Sequence, residues 1–232
     1  MSSGNAVWAV VPIKGGDRVK RRLSPVLPLA LRRALAVAMA EDVLCALTGA
    51  HSLAGVVVVT PDAEISRIAV RYGARTFSEG AADGHTTAVM TAAAALEREG
   101  MQAMLCVPGD LPLLTRFDVD RVVAEHRSPL DFVIVPSRDL SGSNAVLCAP
   151  PTGVPLRFGV DSFGGHLLAA RRAGIEAKVL RLPAIELDID NPADLDLFMR
   201  ESSATHTFRL LREAGFGLRC RAPARPPWSC NP

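Results

Sequence analysis

The sequence predicts an α/β protein in which a mainly parallel mixed sheet lies between two layers of helices. Short runs of consecutive apolar residues recur along the chain, and they alternate with segments of helical spacing. Strands that are covered on both faces are typically continuous apolar runs, and strands that alternate with helices favour a parallel sheet with right-handed crossovers. The 232 residues, 49% of them hydrophobic, are enough for one such domain.

The predicted elements follow in chain order. The strands are the apolar runs Val7–Val11, Val56–Val59, Met104–Val107, Phe132–Val135 and Ala145–Cys148, with a weaker run at Val179–Leu182. The helices are predicted at Leu29–Leu47, Ala63–Tyr72, Thr86–Glu99, Arg116–His126, Ser162–Arg172 and Pro192–Arg200. Beyond them the composition turns to Pro and Arg, so we expect a domain at 1–201 and a flexible tail at 202–232. One more short helix at His206–Glu213 is the alternative.

Composition excludes several classes of function. The 26 basic and 24 acidic residues nearly cancel, and aromatic residues make up only 5% of the chain, so we expect no nucleic-acid partner. The five cysteines are scattered without a C-x-x-C pair, which favours a reducing cytoplasm. The first apolar run is too short for a signal segment or a membrane span. An enzyme or a small-molecule binding domain of the cytoplasm remains.

The first strand leads into a basic loop that contains glycine. Neither the G-x-G-x-x-G nor the G-x-x-x-x-G-K-[ST] pattern is present there. Lys14, Lys20 and Arg22 instead surround Gly15 and Gly16 at the carboxyl end of a strand, which is where ligands bind in open α/β sheets. Such a loop suits a polyphosphate, although a solvated basic loop is the simpler alternative.

Carboxylates occupy two other strand ends. Asp110 follows the third apolar run between two prolines, and Thr115 is better placed than Asp110 to cap the next helix. Alternation along an extended segment would turn Glu186, Asp188 and Asp190 to one face. A divalent metal such as Mg²⁺ would offset their repulsion together with Asp110, whereas an acidic strand edge is the alternative.

A third kind of segment suits an anion. Small residues and hydroxyls lie around Asn144 and again from Phe158 to Ser162, where a helix is predicted to begin. His166 follows one turn later and is equally compatible with a packed histidine that has no chemical role.

These motifs, in order, resemble the guanylyltransferases of deazaflavin coenzyme F420 biosynthesis over about residues 6–200. The matching segments are Pro12-x-Lys14 with Lys20-x-Arg22-Leu23, Gly109-Asp110-Leu111-Pro112-Leu113, Gly142-x-Asn144-Ala145, Phe158-Gly159-x-x-Ser162-Phe163 with His166, and Asp188-Ile189-Asp190-x-Pro192-x-Asp194-Leu195. The resemblance implies a GT-A type nucleotidyltransferase fold of the MobA-like superfamily. It also implies transfer of GMP from GTP to a phosphorylated three-carbon acid, with release of diphosphate.

The resemblance assigns roles by position. It implies that Asp110, Asp188 and Asp190 bind Mg²⁺. It implies that Asn144, Gly159 and Ser162 contact the phosphorylated acid, and that Lys14, Lys20 and Arg22 face the triphosphate as catalytic cations. The product is an activated diphosphate, so hand-over to the next transferase of the pathway is expected.

The chain departs from the family pattern at residues 84–87. Many relatives open this helix with Gly-Leu-Asn, whereas Gly84-His85-Thr86-Thr87 stands here. That departure and a composition rich in Ala and Arg favour 3-phospho-D-glycerate or phosphoenolpyruvate over 2-phospho-L-lactate. Two alternatives stay open. A molybdopterin guanylyl- or cytidylyltransferase should show Leu-Ala-Gly-Gly after the first strand, where this chain has Val11–Lys14, and a non-catalytic nucleotide-binding scaffold would not depend on Asp110.

Overall fold

The computed structural model describes residues 7–16, 19–201 and 203–216. Within them a seven-stranded sheet has the order β3-β2-β1-β4-β6-β5-β7. The strands are β1 Val7–Pro12, β2 Leu53–Val59, β3 Arg75–Phe77, β4 Ala103–Cys106, β5 Asp131–Pro136, β6 Ser143–Ala149 and β7 Ala177–Val179. β6 runs antiparallel to both of its neighbours, and the other paired strands are parallel, so the sheet is mixed and mainly parallel.

The helices of the described chain are α1 Leu29–Thr48, α2 Ala63–Arg71, α3 His85–Arg98, α4 Arg116–Ala124, α5 Ser162–Arg172, α6 Pro183–Glu186, α7 Pro192–Phe198 and α8 His206–Glu213, with a 3₁₀ turn at Arg21–Leu23. The sequence did not predict β3, because its three residues are only partly buried or exposed and form no apolar run. It also missed α6, a single turn. The last strand ends at Val179, where the weak run was predicted to begin.

Both faces of the sheet are covered, which confirms the three-layer architecture. Alternate residues of β1 point to opposite faces: Val7, Ala9 and Val11 pack in one buried cluster, and Val10 packs in another. Residues of α1, α2 and α4 complete the first cluster, and residues of α3 and α5 complete the second. Burial on both faces is the reason that the strand appears as an unbroken apolar run.

A third buried cluster includes a residue from the segment that was predicted to be a tail. Leu211 of α8 is fully buried there with Leu23, Ile189 and Phe198. The carboxylate of Asp42 in α1 accepts hydrogen bonds from the amides of His206 and Thr207 at 2.7 and 2.9 Å. Over 203–216 the structure has the alternative short helix, α8, in place of the flexible tail predicted at 202–232, because composition conceals the apolar face of this helix. Residues 217–232 of that prediction lie outside the described part of the chain.

None of the helices in the described ranges is long and apolar enough to cross a bilayer.

Candidate active site

The candidate site lies at one edge of the sheet. β1 and β4 are parallel, so the loop that holds Lys14 and the loop that holds Asp110 leave the sheet at the same edge. β6 is antiparallel to β4, with Val146 opposite Cys106, so the beginning of β6 reaches this edge as well. The topology thereby brings Asn144 to the end of the sheet at which Asp110 lies.

Three carboxylates meet at this edge. Asp110, Asp188 and Asp190 each place one oxygen within 4.8 Å of the others. The amide of Ile189 donates to the carbonyl of Asp110 at 3.2 Å, which ties the two acidic segments together. Ile189 lies between Asp188 and Asp190 in the sequence, and its side chain is fully buried. The core therefore anchors the backbone of this acidic segment.

Helix α7 fixes the end of the second acidic segment. The Asn191 side chain accepts from the amides of Ala193 and Asp194, and the Asp194 carboxylate accepts from the amides of Asp190 and Asn191 at 3.1 and 3.0 Å. This is a capping box with Pro192 at the first helical position, which is a favourable N-terminus. Asp190 is therefore held immediately ahead of a well-capped helix, as the sequence predicted.

Lys20 joins the carboxylates. Its Nζ donates to Asp110 Oδ2 at 2.6 Å and to Asp190 Oδ1 at 2.7 Å, and its side chain is only 10% exposed. The backbone of Lys20 is left-handed, with φ at 46°, and leads directly into the 3₁₀ turn. Burial alone would lower the pKa of Lys20, but the two adjacent carboxylates outweigh it and raise that pKa above its ordinary value. Lys20 is therefore a permanently charged part of the cluster.

The carboxylates differ in their electrostatic environment. Burial and the neighbouring charge of Asp110 raise the pKa of Asp188 to about 6, against a smaller opposing effect of the hydrogen bond from Asn144. Burial acts in the same direction on Asp190, but the attraction of Lys20 prevails and lowers its pKa. A divalent cation would stabilise the ionised form of Asp188.

One oxygen of the cluster lacks a partner. Asp110 Oδ1 is buried and accepts no hydrogen bond from the described residues. A buried carboxylate oxygen without a partner is costly, and hard divalent cations prefer such ligands. The three aspartates therefore fit a divalent metal, with Lys20 supplying only one positive charge among them.

The other two predicted cations occupy different positions. Arg22 is 78% exposed, and its guanidinium lies 3.8 Å from Asp190, which is a weak surface contact. Lys14 is exposed and lines a separate pocket of about 250 Å³ with Gly15, Gly16 and Asp62. A side chain at residue 15 would overlap the Asp62 carboxylate, so glycine is required for this close approach.

A cleft of about 650 Å³ opens beside the carboxylates. Asn144 and Gly159 line it, together with Arg22 and the aspartates 188 and 190. The Asn144 amide group donates to the carbonyl of Ile185 at 2.9 Å and to Asp188 Oδ1 at 3.1 Å. Asn144 thus links the cleft wall to the acidic cluster.

The remaining wall comes from the loop before α5. Gly159 has φ at 136°, a conformation that L side chains rarely adopt. Ser162 is the first residue of α5, is 5% exposed, and donates through its amide to the carbonyl of Gly159 at 3.2 Å. The structure therefore brings Gly159 to the cleft surface, whereas Ser162 lies buried at the base of the loop.

Glu186 lines the cleft but is not part of the three-aspartate cluster, which corrects the prediction that a metal would offset its charge together with those of Asp188 and Asp190. Its carboxylate forms two hydrogen bonds with Arg181, at 2.8 and 2.7 Å, and this pairing lowers the pKa of Glu186. The extended alternation assumed from sequence fails because α6 ends at Glu186.

Sequence reasoning also missed Arg138. It lines the same cleft, and its amide donates to the carbonyl of Glu186 at 2.9 Å. Its position just after β5 could have indicated it, since β5 ends at the edge where β6 begins.

The fold and the site together define a nucleotidyltransferase: a carboxylate cluster and anion-suited loops meet at the ligand edge of a mainly parallel sheet. Solved structures show the same fold. A nucleotide-diphospho-sugar transferase-like protein from Desulfovibrio desulfuricans superimposes with a TM-score of 0.71 at 19% identity, over 90% of this chain and 95% of that one. A Methanothermobacter nucleotidyl transferase gives 0.64 at 17% identity, over 90% of this chain and 100% of that one.

The chain belongs to the family described as guanylyl transferase CofC like, whose model matches residues 7–226. Among its relatives, the phosphoenolpyruvate guanylyltransferase of Conexibacter woesei is 35% identical over 90% of this chain and 96% of that protein. The 3-phospho-D-glycerate guanylyltransferase of Colwellia psychrerythraea is 34% identical over 84% of this chain and 91% of that protein. Membership of this family favours a guanylyltransferase over the molybdopterin enzyme and over the non-catalytic nucleotide-binding scaffold.

Proposed function

We propose that the protein transfers GMP from GTP to the phosphate of a small phosphorylated carboxylic acid and releases diphosphate. Phosphoenolpyruvate and 3-phospho-D-glycerate are the favoured acids, because relatives at about 35% identity carry those names. 2-Phospho-L-lactate stays a third candidate. The pathway we infer is coenzyme F420 biosynthesis, with the product handed to the next transferase.

One observation carries the proposal. The carboxylate cluster and the cleft share a wall, because Asn144 donates to Asp188 Oδ1 at 3.1 Å while also lining the cleft. An acid held against Asn144 and Gly159 would therefore lie directly beside the carboxylates that we propose to bind a metal. Adjacent sites for the two reactants are what a group transfer requires, since alignment of the reacting atoms supplies much of the rate enhancement.

The reaction needs no strong general base. A phosphate monoester is ionised near neutral pH, so one of its oxygens can attack the α-phosphorus of GTP directly. A new P–O bond forms to the acid's phosphate, and the bond from the α-phosphorus to the bridging oxygen breaks. The electron pair leaves with diphosphate, so the chain has only to orient the reactants and to neutralise charge.

The residues divide between these two tasks. Asn144 and Gly159 would orient the acid, with Ser162 supporting the loop from the first turn of α5. Lys20, Arg22 and Lys14 would stabilise the charge on the departing diphosphate. Asp110, Asp188 and Asp190 would hold Mg²⁺, which supplies Lewis-acid stabilisation of phosphate oxygens when bound.

Purified protein incubated with GTP, Mg²⁺ and each of the three acids separately tests the proposal. Release of diphosphate with at least one acid, abolished by Asp110→Ala, is the expected result. Asp139→Ala is a matched control, because that exposed carboxylate lines the cleft and, among the described residues, accepts hydrogen bonds from Ser137 and Ser141 and lies outside the three-aspartate cluster. No release with any acid would refute the assignment.

The proposed reaction belongs to the cytoplasm. The described cysteines Cys45, Cys106 and Cys148 are free thiols, which is the usual state in a reducing compartment.

A further inference from the structure

His166 is a buried titratable residue for which the proposed reaction has no use. It lies in α5 one turn after Ser162, and it is 1% exposed. Ser162, His166 and Ala170 are all buried at intervals of four residues, so they form the inward face of the helix. A polar ring in such a position requires hydrogen-bond partners.

Both ring nitrogens of His166 are engaged. The amide of Arg157 donates to Nε2 at 2.9 Å, and Nδ1 lies 2.9 Å from the hydroxyl of Ser143. A backbone amide can only donate, so Nε2 is the unprotonated acceptor. The proton of the neutral ring is therefore on Nδ1, which donates to Ser143 Oγ.

The two partners belong to the two walls of the cleft. Ser143 immediately precedes Asn144 in β6, and Arg157 lies two residues before Gly159 in the loop that leads to α5. One imidazole ring thereby connects the segment that carries Asn144 to the segment that carries Gly159.

The loop needs such an anchor. Gly159 and Asp161 have φ values of 136° and 55°, and both lie outside the regions that residues with side chains favour. Thr86 at the start of α3 accepts from the amide of Phe158 at 3.0 Å, so two consecutive amides ahead of Gly159 are held by side chains. The Phe158 ring packs between His85 and His166, with centroid distances of 4.5 and 5.0 Å.

We propose that His166 is a positioning residue that fixes the spacing between Asn144 and Gly159 and thereby sets the affinity for the phosphorylated acid. The inference rests on the proposed function, in which the acid binds between these two residues. Among the described residues the hydrogen bonds of His166 go to Ser143 and Arg157 and not to the three aspartates, so we expect its effect to fall mainly on the acid.

The ring keeps this hydrogen-bond pattern across the range of an ordinary assay. Burial and the nearby His85 lower the pKa of His166 to about 4, so the ring is neutral near neutral pH. Protonation of Nε2 would remove the acceptor of the Arg157 amide, and the low pKa prevents it.

Steady-state kinetics on His166→Leu, His166→Asn and Ser143→Ala test the proposal, with each substrate varied in turn. The leucine variant removes both hydrogen bonds, whereas asparagine can still donate to Ser143 from a position near Nδ1. We expect the KM for the acid to rise roughly 5- to 100-fold in His166→Leu and less in the other two. The KM for GTP and kcat should stay within about threefold of the wild type.

His126→Leu is the matched control. His126 is also a buried histidine, but it lies beside Asp131 at the opposite edge of the sheet. It should change neither KM, whatever it does to thermal stability. If His166→Leu does not fold, the proposal is judged on the two milder variants.

Two failures can be told apart. An unchanged acid KM in His166→Asn and Ser143→Ala, or an equal rise for both substrates, would overturn the positioning role while the guanylyl transfer stands. A wild type that releases no diphosphate with any of the three acids would overturn the proposed function and this inference with it.

Discussion

Lys20 and Asp110 are 90 positions apart in the chain, yet Lys20 Nζ donates to Asp110 Oδ2 at 2.6 Å. The same ammonium donates to Asp190, so one buried cation is shared between two of the three carboxylates. Truncation of one partner in such a group leaves an uncompensated buried charge. This lowers the free energy of unfolding far more than the loss of a surface ion pair does. Lys20 is thus the internal counter-ion of the cluster that we propose to bind metal.

Replacement of Lys20 by methionine should therefore affect stability and catalysis together. Without the ammonium, the carboxylates repel one another, so Tm without divalent ions should fall and added Mg²⁺ should raise it more than in the wild type. We expect kcat to fall by about 10²- to 10³-fold. Thermal unfolding with and without Mg²⁺, and diphosphate release, measure the two effects.

Arg21→Met is the control for charge alone, because Arg21 is an exposed cation in the same 3₁₀ turn. It should leave both the metal-induced rise in Tm and kcat close to the wild type. An equal response of the two variants to Mg²⁺ would contradict the role of Lys20 as counter-ion.

Asp188→Asn should stabilise the metal-free protein at neutral pH while it abolishes turnover. The folded-state pKa of Asp188 is about 6, above the ordinary 3.8, so ionisation costs folding stability at every pH above about 6. Asparagine removes that cost and can still accept from Asn144. The gain in Tm should be largest near pH 7 to 8 and should shrink as the pH falls through 6 towards 4.

Asp190→Asn should have the opposite sign. The attraction of Lys20 outweighs burial and lowers the pKa of Asp190. Ionised Asp190 therefore stabilises the fold at pH values above the ordinary carboxylate pKa, and asparagine would lose that stabilisation. A fall in Tm for Asp188→Asn near pH 7, or a rise for Asp190→Asn, would show that the assigned electrostatic balance is wrong.

The affinity for Mg²⁺ should depend on pH through the ionisation of Asp188. A carboxylate must lose its proton to bind a cation, so below the Asp188 pKa of about 6 the Mg²⁺ affinity should fall by up to about tenfold per pH unit. Calorimetric titration with Mg²⁺ between pH 5 and 8 measures the slope. Affinity that is constant down to pH 5 would indicate that Asp188 is not a ligand.

Much of this arrangement could be predicted from the sequence, because strand ends define one edge of the sheet. Asp110 and the Asp188–Asp190 segment follow buried elements, so their convergence required only the correct topology. The position of Lys20 could not be predicted, since it depends on a left-handed residue in an irregular loop. Their roles in catalysis stay predictions.

Contacts between elements that are distant in the sequence were the hardest feature to predict. Nothing in the local sequence indicates that Asp42 in α1 accepts from the amide of His206, which lies 164 positions away at the start of α8. The sequence predicted a flexible tail at 202–232 from composition, and composition does not report a few apolar residues on one helix face. Leu211 is such a residue: it is fully buried although its segment is rich in charge.

Helix α8 should therefore stabilise the position of the carboxylate cluster through the buried residues packed beneath it. Leu211 shares its buried cluster with Leu23, which follows the basic turn, and with Ile189, which lies between two aspartates. Leu211→Ala should lower the free energy of unfolding by about 2–5 kcal/mol through lost burial and a residual cavity. Because Ile189 loses support, the Mg²⁺ affinity should also fall.

Val70→Ala is the matched truncation, since Val70 lies on α2 with 63% of its surface exposed. It should change the free energy of unfolding by less than about 0.5 kcal/mol and leave Mg²⁺ binding intact. Denaturant unfolding and calorimetric titration on both variants distinguish the two positions. If Leu211→Ala loses stability but binds Mg²⁺ as the wild type does, α8 stabilises the fold without supporting the carboxylate cluster.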